Sequence, residues 1–153
     1  MKKGFTLMEV LTVVIIVGVL ASLAIPSYRK VIERSRFTKA QVMAKSLHDS
    51  CERLVSEYGV EEYQSLPANV KTLSRLDIGS QELLPTGFTM DTNNNAIVGA
   101  GFAYTLMTEP SCSVTIDKIE NGSSVLTISY DGEHMVCSGN EELCDIYGVD
   151  YAE

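Results

Sequence analysis

Residues 5–25 read FTLMEVLTVVIIVGVLASLAI, and Glu9 is the only charged side chain among these positions. At about 1.5 Å rise per residue, an α-helix of this length measures about 31 Å, which matches the hydrocarbon thickness of a bilayer, about 30 Å. The stretch therefore predicts one membrane-spanning helix near the beginning of the chain. The remainder of the 153 residues has the mixed composition of a soluble domain of modest size.

Two ordinary explanations of an apolar N-terminal segment fit less well. A secretory signal peptide begins with basic residues, as Lys2 and Lys3 do here, but its apolar region covers only about 7–15 residues. An ordinary signal anchor has the right length but leaves Glu9 unexplained. A carboxylate at the centre of a bilayer costs on the order of 2.5–3.5 kcal/mol, and less toward an end. Glu9 therefore indicates a partner of opposite charge.

The residues around Glu9, which read MKKGFTLME at 1–9, resemble the class III signal of type IV prepilins and pseudopilins. In that family a short basic leader ends in Gly, and a membrane peptidase cuts after the Gly and methylates the new N-terminal residue. The resemblance implies cleavage between Gly4 and Phe5 and methylation of Phe5. It also implies that Glu9 pairs with the new Phe5 amine of a neighbouring subunit, although a spacing of four residues permits the pair within one chain.

The same resemblance divides the chain into a leader at 1–4, a transmembrane and assembly helix at 5–26, and a head domain at 27–153. Pro26 lacks a backbone donor and clashes with the preceding turn, so it predicts a kink or an opening of the helix. In the family, a Gly and a Pro at the positions of Gly18 and Pro26 flank a stretch that can lose helicity when the filament forms. A plain kink where the helix leaves the membrane is the alternative.

Periodic hydrophobicity predicts that the helix continues over 27–58 as an amphipathic element. Apolar residues recur there at steps of three and four, which places one apolar stripe on a helix face. Gly59 is a natural C-terminal stop. The stripe consists of Ala40, Met43, Ala44, Leu47, Cys51, Leu54, Val55 and Tyr58.

From residue 88 onward, short β-rich runs alternate with turn residues and predict an antiparallel sheet over 88–137. Asn121-Gly122 and Asp131-Gly132 are turn signals. We expect a short helix at 67–75 and an irregular acidic tail at 138–153. The fold class is therefore α+β, with a long N-terminal helix packed on a C-terminal antiparallel sheet. The candidate strands are Phe88–Met90, Gly101–Met107, Ser113–Asp117, Ser124–Tyr130 and His134–Cys137.

Charge is divided unevenly within a net charge of -8. Residues 27–45 hold six basic side chains and one acidic one, whereas the chain from Asp49 onward holds 18 acidic and four basic ones. The basic segment suits lipid headgroups or acidic neighbours, with a solvated helix face as the alternative. The acidic remainder argues against nucleic acid as a partner. The positive-inside rule would place the head in the cytoplasm, but the leader motif is the more specific signal.

The four cysteines predict disulfides, because the resemblance places the head outside the cytoplasm. Three pairings are possible. Cys137–Cys144 resembles the disulfide-bounded C-terminal region of many pilins, and Cys51–Cys112 would then link the helix to the sheet. A zinc site is disfavoured, because no two cysteines are close in sequence and the two histidines stand apart.

No motif for a nucleophile, a phosphate loop or a metalloprotease is present, so we expect no enzyme, cofactor or metal. The resemblance implies a structural subunit of a type IV pilus. Such a subunit spans the inner membrane before assembly and is then part of an extracellular filament. Its partners would be copies of itself, other pilins, the prepilin peptidase, the inner-membrane assembly platform and the bilayer. The alternatives are a pseudopilin of a type II secretion system, in a periplasmic pseudopilus, and a membrane-anchored periplasmic binding or enzymatic domain.

Overall fold

A single long helix dominates the computed structural model, which describes residues 6–66, 71–78, 84–91, 96–107 and 112–152. This helix, α1, spans Leu7–Tyr58 and contains 52 residues. It continues through Pro26, so the opening predicted at that position does not occur in the free subunit. A proline removes one backbone donor, and the remaining hydrogen bonds on both sides keep the chain helical.

The first half of α1 is not buried against any other part of the described chain. Its large apolar side chains, from Leu7 to Ile25, are between 49% and 92% exposed. α1 is also the one helix among the described residues that is long and apolar enough to cross a membrane. So many exposed apolar side chains are unfavourable in water, and the described part of the subunit does not cover them. Their exposure is what a membrane-spanning segment, as predicted from the sequence, would show.

The second half of α1 packs on the head through the predicted apolar stripe. Ala40, Met43, Ala44, Leu47 and Cys51 are buried, and Leu54 and Val55 are partly buried against the same core. Phe37, which is not part of the predicted stripe, is buried one turn before it. Gly59 follows the helix with φ 83°, as its predicted role of a stop requires, and a short helix, α2, runs over Val60–Ser65.

The head contains a seven-stranded sheet in which the strands lie in chain order. Neighbouring strands are antiparallel except for the last pair, which is parallel. One face of the sheet packs against α1, and its fully buried residues include Ile97, Tyr104, Ile116 and Ile128. The α+β fold is therefore the predicted one. The strands are β1 Phe88–Met90, β2 Ala96–Gly99, β3 Phe102–Met107, β4 Ser113–Glu120, β5 Ser123–Tyr130, β6 Met135–Gly139 and β7 Asp150–Tyr151.

The prediction of an irregular tail at 138–153 is wrong. Helix α3 occupies Glu141–Tyr147, and β7 adds a further strand beyond the predicted end of the sheet at 137. The Asn140 side chain accepts a hydrogen bond from the Leu143 N–H at 3.1 Å, which caps the N-terminus of α3. Gly148 ends the helix in the left-handed conformation, with φ 70° and ψ 39°. The prediction relied on the acidic composition of this segment and took no account of Asn140 and Gly148 as capping residues.

Other differences concern short elements. Strand β2 was not predicted. It has only four residues, begins with Ala96 and ends with Gly99, so it shows little hydrophobic periodicity. Within the expected helix at 67–75, only Leu73–Arg75 forms a 3-10 turn, and residues 67–70 lie outside the described ranges. The predicted turn at Asn121-Gly122 is confirmed: both residues have positive φ, 53° and 79°, as a tight hairpin turn between β4 and β5 requires.

The buried hydroxyl of Tyr104 leads to a first prediction. Its side chain is fully buried, and its oxygen has no hydrogen-bond partner within the part of the chain that the structure describes. Burial raises the pKa of this phenol, which keeps it neutral. Because an unsatisfied buried hydroxyl is destabilising, Tyr104→Phe should raise the free energy of unfolding by about 1 kcal/mol. Denaturant unfolding of the two proteins measures the change.

Tyr147→Phe is the matched control for this substitution. The Tyr147 hydroxyl donates a hydrogen bond to Glu33 Oε2 at 3.2 Å, so its removal should lower stability rather than raise it. A loss of stability in both variants would contradict the account of Tyr104.

Candidate functional site

The N-terminal turn of α1 carries the one acidic residue of the apolar half. Thr6 is the N-cap, and its hydroxyl oxygen accepts a hydrogen bond from the Glu9 N–H at 3.2 Å. The Glu9 side chain is exposed and has no ion-pair partner among the described residues. Its expected partner, Phe5, and the cleavage residue Gly4 lie outside the described ranges. The Glu9 carboxylate therefore lies on the exposed surface of α1, where it is accessible to a second molecule.

The hydroxyl groups within the apolar half are satisfied inside the helix. Thr12 donates to the Met8 carbonyl at 2.8 Å, and Ser22 donates to the Val19 carbonyl at 2.7 Å. Hydroxyls bonded in this way can enter hydrocarbon at a low cost. Apart from the neighbouring residues and backbone of its own helix, no atom of the described chain lies within 4 Å of the position that a Cβ of Gly18 would take, so packing within the described subunit does not require a glycine there.

A buried charge cluster fixes α1 to the head, and the sequence analysis missed it. The Lys118 ammonium, on β4, lies 2.7 Å from Glu33 Oε2, on α1. The Lys118 side chain is only 4% exposed and also lies 5.1 Å from the centre of the Phe102 ring. Tyr147, on α3, donates to the same Glu33 oxygen. The cluster joins α1, β4 and α3 at the point where the helix leaves the head.

The electrostatics of this cluster favour the ionised form of Glu33. Desolvation by itself would raise the pKa of the carboxyl group. The hydrogen bond and charge of Lys118 outweigh it, together with the charge of Arg36 and the hydrogen bond from Tyr147, so the pKa of Glu33 lies below its ordinary value of 4.5. Because the folded-state pKa is depressed, the stabilisation is present above about pH 4.5 and is lost as the pH falls through the lowered value.

A second prediction follows for Glu33→Gln. The substitution leaves the Lys118 charge buried without its carboxylate, which should lower the free energy of unfolding at pH 7 by about 2 kcal/mol. This figure is below the range of fully buried pairs because the Glu33 side chain is 25% exposed. The difference between the two proteins should shrink as the pH falls through the lowered pKa of Glu33, since the wild-type carboxyl group is then protonated. Unfolding curves at several pH values test this.

Two further variants separate the ion pair from the loss of a charge. Glu52→Gln removes an exposed carboxylate from the same helix and should have almost no effect. Glu33→Gln combined with Lys118→Met removes both charges, and it should be less destabilising than Glu33→Gln alone. Equal losses in the single and the double variant would contradict the buried-pair interpretation.

Two disulfides connect elements of the head. Cys51, in the last two turns of α1, is bonded to Cys112, directly before β4. Cys137, in β6, is bonded to Cys144, in α3. These are the two pairs that the sequence analysis expected. All four side chains are buried, and the structure contains no free cysteine.

A polar contact beside Cys51 fixes the same end of α1. The Asp77 carboxylate accepts hydrogen bonds from the Ser50 hydroxyl and from Arg53 Nε, the latter at 2.9 Å. The hydrogen bond from Ser50 and the charge of Arg53 hold the pKa of Asp77 below its ordinary value. The second half of α1 is thus held at both of its ends, by the Glu33 cluster and by the Cys51 region.

No catalytic constellation emerges in the described ranges. No group of three or more His, Cys, Asp or Glu residues is placed there to hold a metal ion. The His48 ring packs edge-on against Tyr130 at 5.5 Å, and the exposed His134 lies 3.8 Å from Asp131. The distinctive feature is instead the exposed apolar half of α1, from Leu7 to Ile25, which is called the rod below and is continuous with the half that packs on the head.

Comparison with curated proteins finds relatives that match part of the chain. The chain is 36% identical over 59 residues to the fimbrial protein EcpC of Eikenella corrodens, a match that covers 39% of each chain. It is 40% identical over 56 residues to the type IV major pilin PilA of Myxococcus xanthus. It is also 29% identical over 76 residues, half of the chain, to the type IV major pilin PilE of Neisseria gonorrhoeae. Over these stretches, the chain is similar to fimbrial proteins and type IV pilins.

The pilin relationship has a defined extent. The matches span between 26% and 46% of the length of these three relatives, and between 37% and 50% of the present chain. No family model matches the chain. No solved structure matches it either. The long helix and antiparallel sheet are the pilin-like fold that the sequence predicted.

Proposed function

We propose that this protein is a structural subunit of a type IV pilus, which polymerises through the apolar half of α1. The observation that carries the proposal is the contrast within one continuous helix. The half from Leu7 to Ile25 is bare, while the half from Phe37 to Cys51 is packed on the head. A subunit built in this way hides its apolar rod in lipid before assembly and among the rods of other subunits afterward.

The proposed processing begins at the leader. A prepilin peptidase removes residues 1–4 and methylates Phe5, which creates a positive amine at the start of the rod. The exposed carboxylate of Glu9 then pairs with the Phe5 amine of a neighbouring subunit. Because an unpaired charge in an apolar bundle is costly, this pair would set the axial register of each added subunit. The inner-membrane assembly platform would transfer each subunit from the bilayer to the growing fibre.

The role of the head is to present a stable surface around this rod. The Glu33 cluster and the Cys51–Cys112 bond hold the packed half of α1 at two separate levels. A force applied along the fibre would therefore act on an anchored helix. We propose a structural role without catalysis, in line with the curated names of the relatives, which are fimbrial and pilin proteins.

Imaging of the cell surface tests the proposal. Sheared fibres from cells with the native gene should be labelled by an antibody to the head, and a deletion strain should yield no labelled fibres. Labelled fibres that appear only on overexpression would favour a pseudopilus of a secretion system. A protein that stays in the membrane fraction under both conditions would contradict a filament subunit and favour an anchored periplasmic domain.

A further inference from the structure

A cluster of basic side chains follows directly on the bare half of α1. Arg29, Lys30, Arg34 and Arg36 are all exposed, and together they are called the basic collar below. At 100° per residue, their four positions fall within an arc of about 160°, so they lie on one side of the helix. The collar thus lies on one side of the rod, just above the segment that suits a bilayer.

The single acidic residue within the collar does not neutralise it. The Glu33 carboxylate is already paired with the buried ammonium of Lys118 at 2.7 Å, so its charge is balanced from the sheet side. Arg36 shares this carboxylate at 2.9 Å. Arg29, Lys30 and Arg34 have no ion-pair partner among the residues that the structure describes. Three cations of the collar therefore remain uncompensated, and two of them, Arg29 and Lys30, lie nearest to the apolar rod.

Helix geometry sets the height of these two cations. Arg29 and Lys30 lie four and five residues after Ile25, which ends the apolar run, or about 6 and 7.5 Å along the helix axis. The headgroup layer on each side of a bilayer is about 5–8 Å thick. Both side chains therefore fall at headgroup level when the apolar run spans the hydrocarbon. Lys39 and Lys45 lie about 21 and 30 Å above Ile25, beyond the Debye length of about 8 Å at physiological ionic strength.

We propose that Arg29 and Lys30 bind the phosphate groups of anionic phospholipids while the subunit waits in the membrane. A basic side chain near an anionic membrane surface favours such lipids by up to about fivefold. The contact would hold the rod at a fixed depth, with Glu9 at a fixed level for its later partner. This inference rests on the part of the proposed function that places α1 in a bilayer.

The test measures lipid selection by the full chain. The protein is reconstituted into phosphatidylcholine vesicles that contain phosphatidylglycerol as the minor lipid. Spin-labelled forms of the two lipids report which headgroup is enriched next to the protein. The preference for phosphatidylglycerol should fall severalfold in Arg29→Gln/Lys30→Gln, and high salt should reduce it in the wild type. Lys2 and Lys3 are the same in every protein compared, so the difference reports on the collar.

Lys39→Gln/Lys45→Gln is the matched control, since it removes two exposed cations from the same helix above the headgroup level. It should retain the wild-type preference. An equal fall in both double variants, or no fall in Arg29→Gln/Lys30→Gln, would overturn the inference. Chemical cross-linking between copies of the chain gives a further outcome. If Arg29→Gln/Lys30→Gln loses this cross-linking while its lipid preference is unchanged, the inference is overturned and the collar is assigned to contact with an acidic neighbouring subunit.

Two checks keep this result separate from other failures. Circular dichroism of each variant shows whether the fold is retained, and Arg29→Lys restores the charge if the original substitution disturbs the helix. A chain that is released from vesicles by an alkaline wash would refute the membrane anchoring in the proposed function. A chain that stays inserted but selects no lipid refutes only the present inference.

Discussion

Replacing Glu9 with Gln is expected to abolish incorporation of the protein into fibres while leaving insertion into the membrane intact. The substitution keeps the size of the side chain but removes the charge that would meet the Phe5 amine of a neighbour. An unpaired buried charge costs about 3–5 kcal/mol, which corresponds to a decrease of more than about a hundredfold in each docking equilibrium. Quantitation of the protein in sheared fibres and in membranes measures both effects.

Thr12→Val is the control for Glu9→Gln. It also removes a polar group from the bare half of α1, but the Thr12 hydroxyl is already bonded to the Met8 carbonyl within the helix. Incorporation should therefore be close to normal. Wild-type amounts of Glu9→Gln in fibres would show that the carboxylate plays no part in assembly.

Removal of the Cys51–Cys112 disulfide is expected to be the most destabilising change in the head. The bond joins residues 61 positions apart, and the chain-entropy model gives a loss of about 4 kcal/mol for a loop of this size. The paired substitution of both cysteines by Ser should show this loss in denaturant unfolding. In cells, the end of α1 would separate from β4 more readily, and the protein should be degraded faster before assembly.

The Cys137–Cys144 bond supplies the comparison. Its residues are only seven positions apart, so the same model gives a loss of about 2.5 kcal/mol. The ratio of the two losses is the informative quantity, because both variants replace two buried sulfur atoms. A larger loss for the Cys137–Cys144 variant would contradict the view that the long-range bond dominates the stability of the head.

The parts of the fold that follow from local patterns could be predicted from the sequence. The continuous apolar run and the apolar stripe of α1 each repeat a simple period over many residues, so both halves of the helix were foreseen. Helix α3 and strand β7 were missed because a short acidic segment was read by its composition. The Asn140 cap and Gly148 stop would have revealed α3.

The charge cluster could not be predicted in this way. Glu33 and Lys118 are 85 residues apart, and each looks like an ordinary surface charge in its own segment. Only the packing of β4 and α3 against α1 brings them together, since register and packing are properties of the whole head. The leader motif shows the opposite case, because it is read as a local sequence of a few residues and needs no tertiary contact.

The mass of the intact subunit in purified surface fibres tests the central claim most directly. The account predicts that the protein is abundant in these fibres, with a chain that begins at Phe5, carries one added methyl group and contains two disulfides. A protein that is absent from the fibres and is recovered from membranes with residues 1–4 still attached would contradict the account.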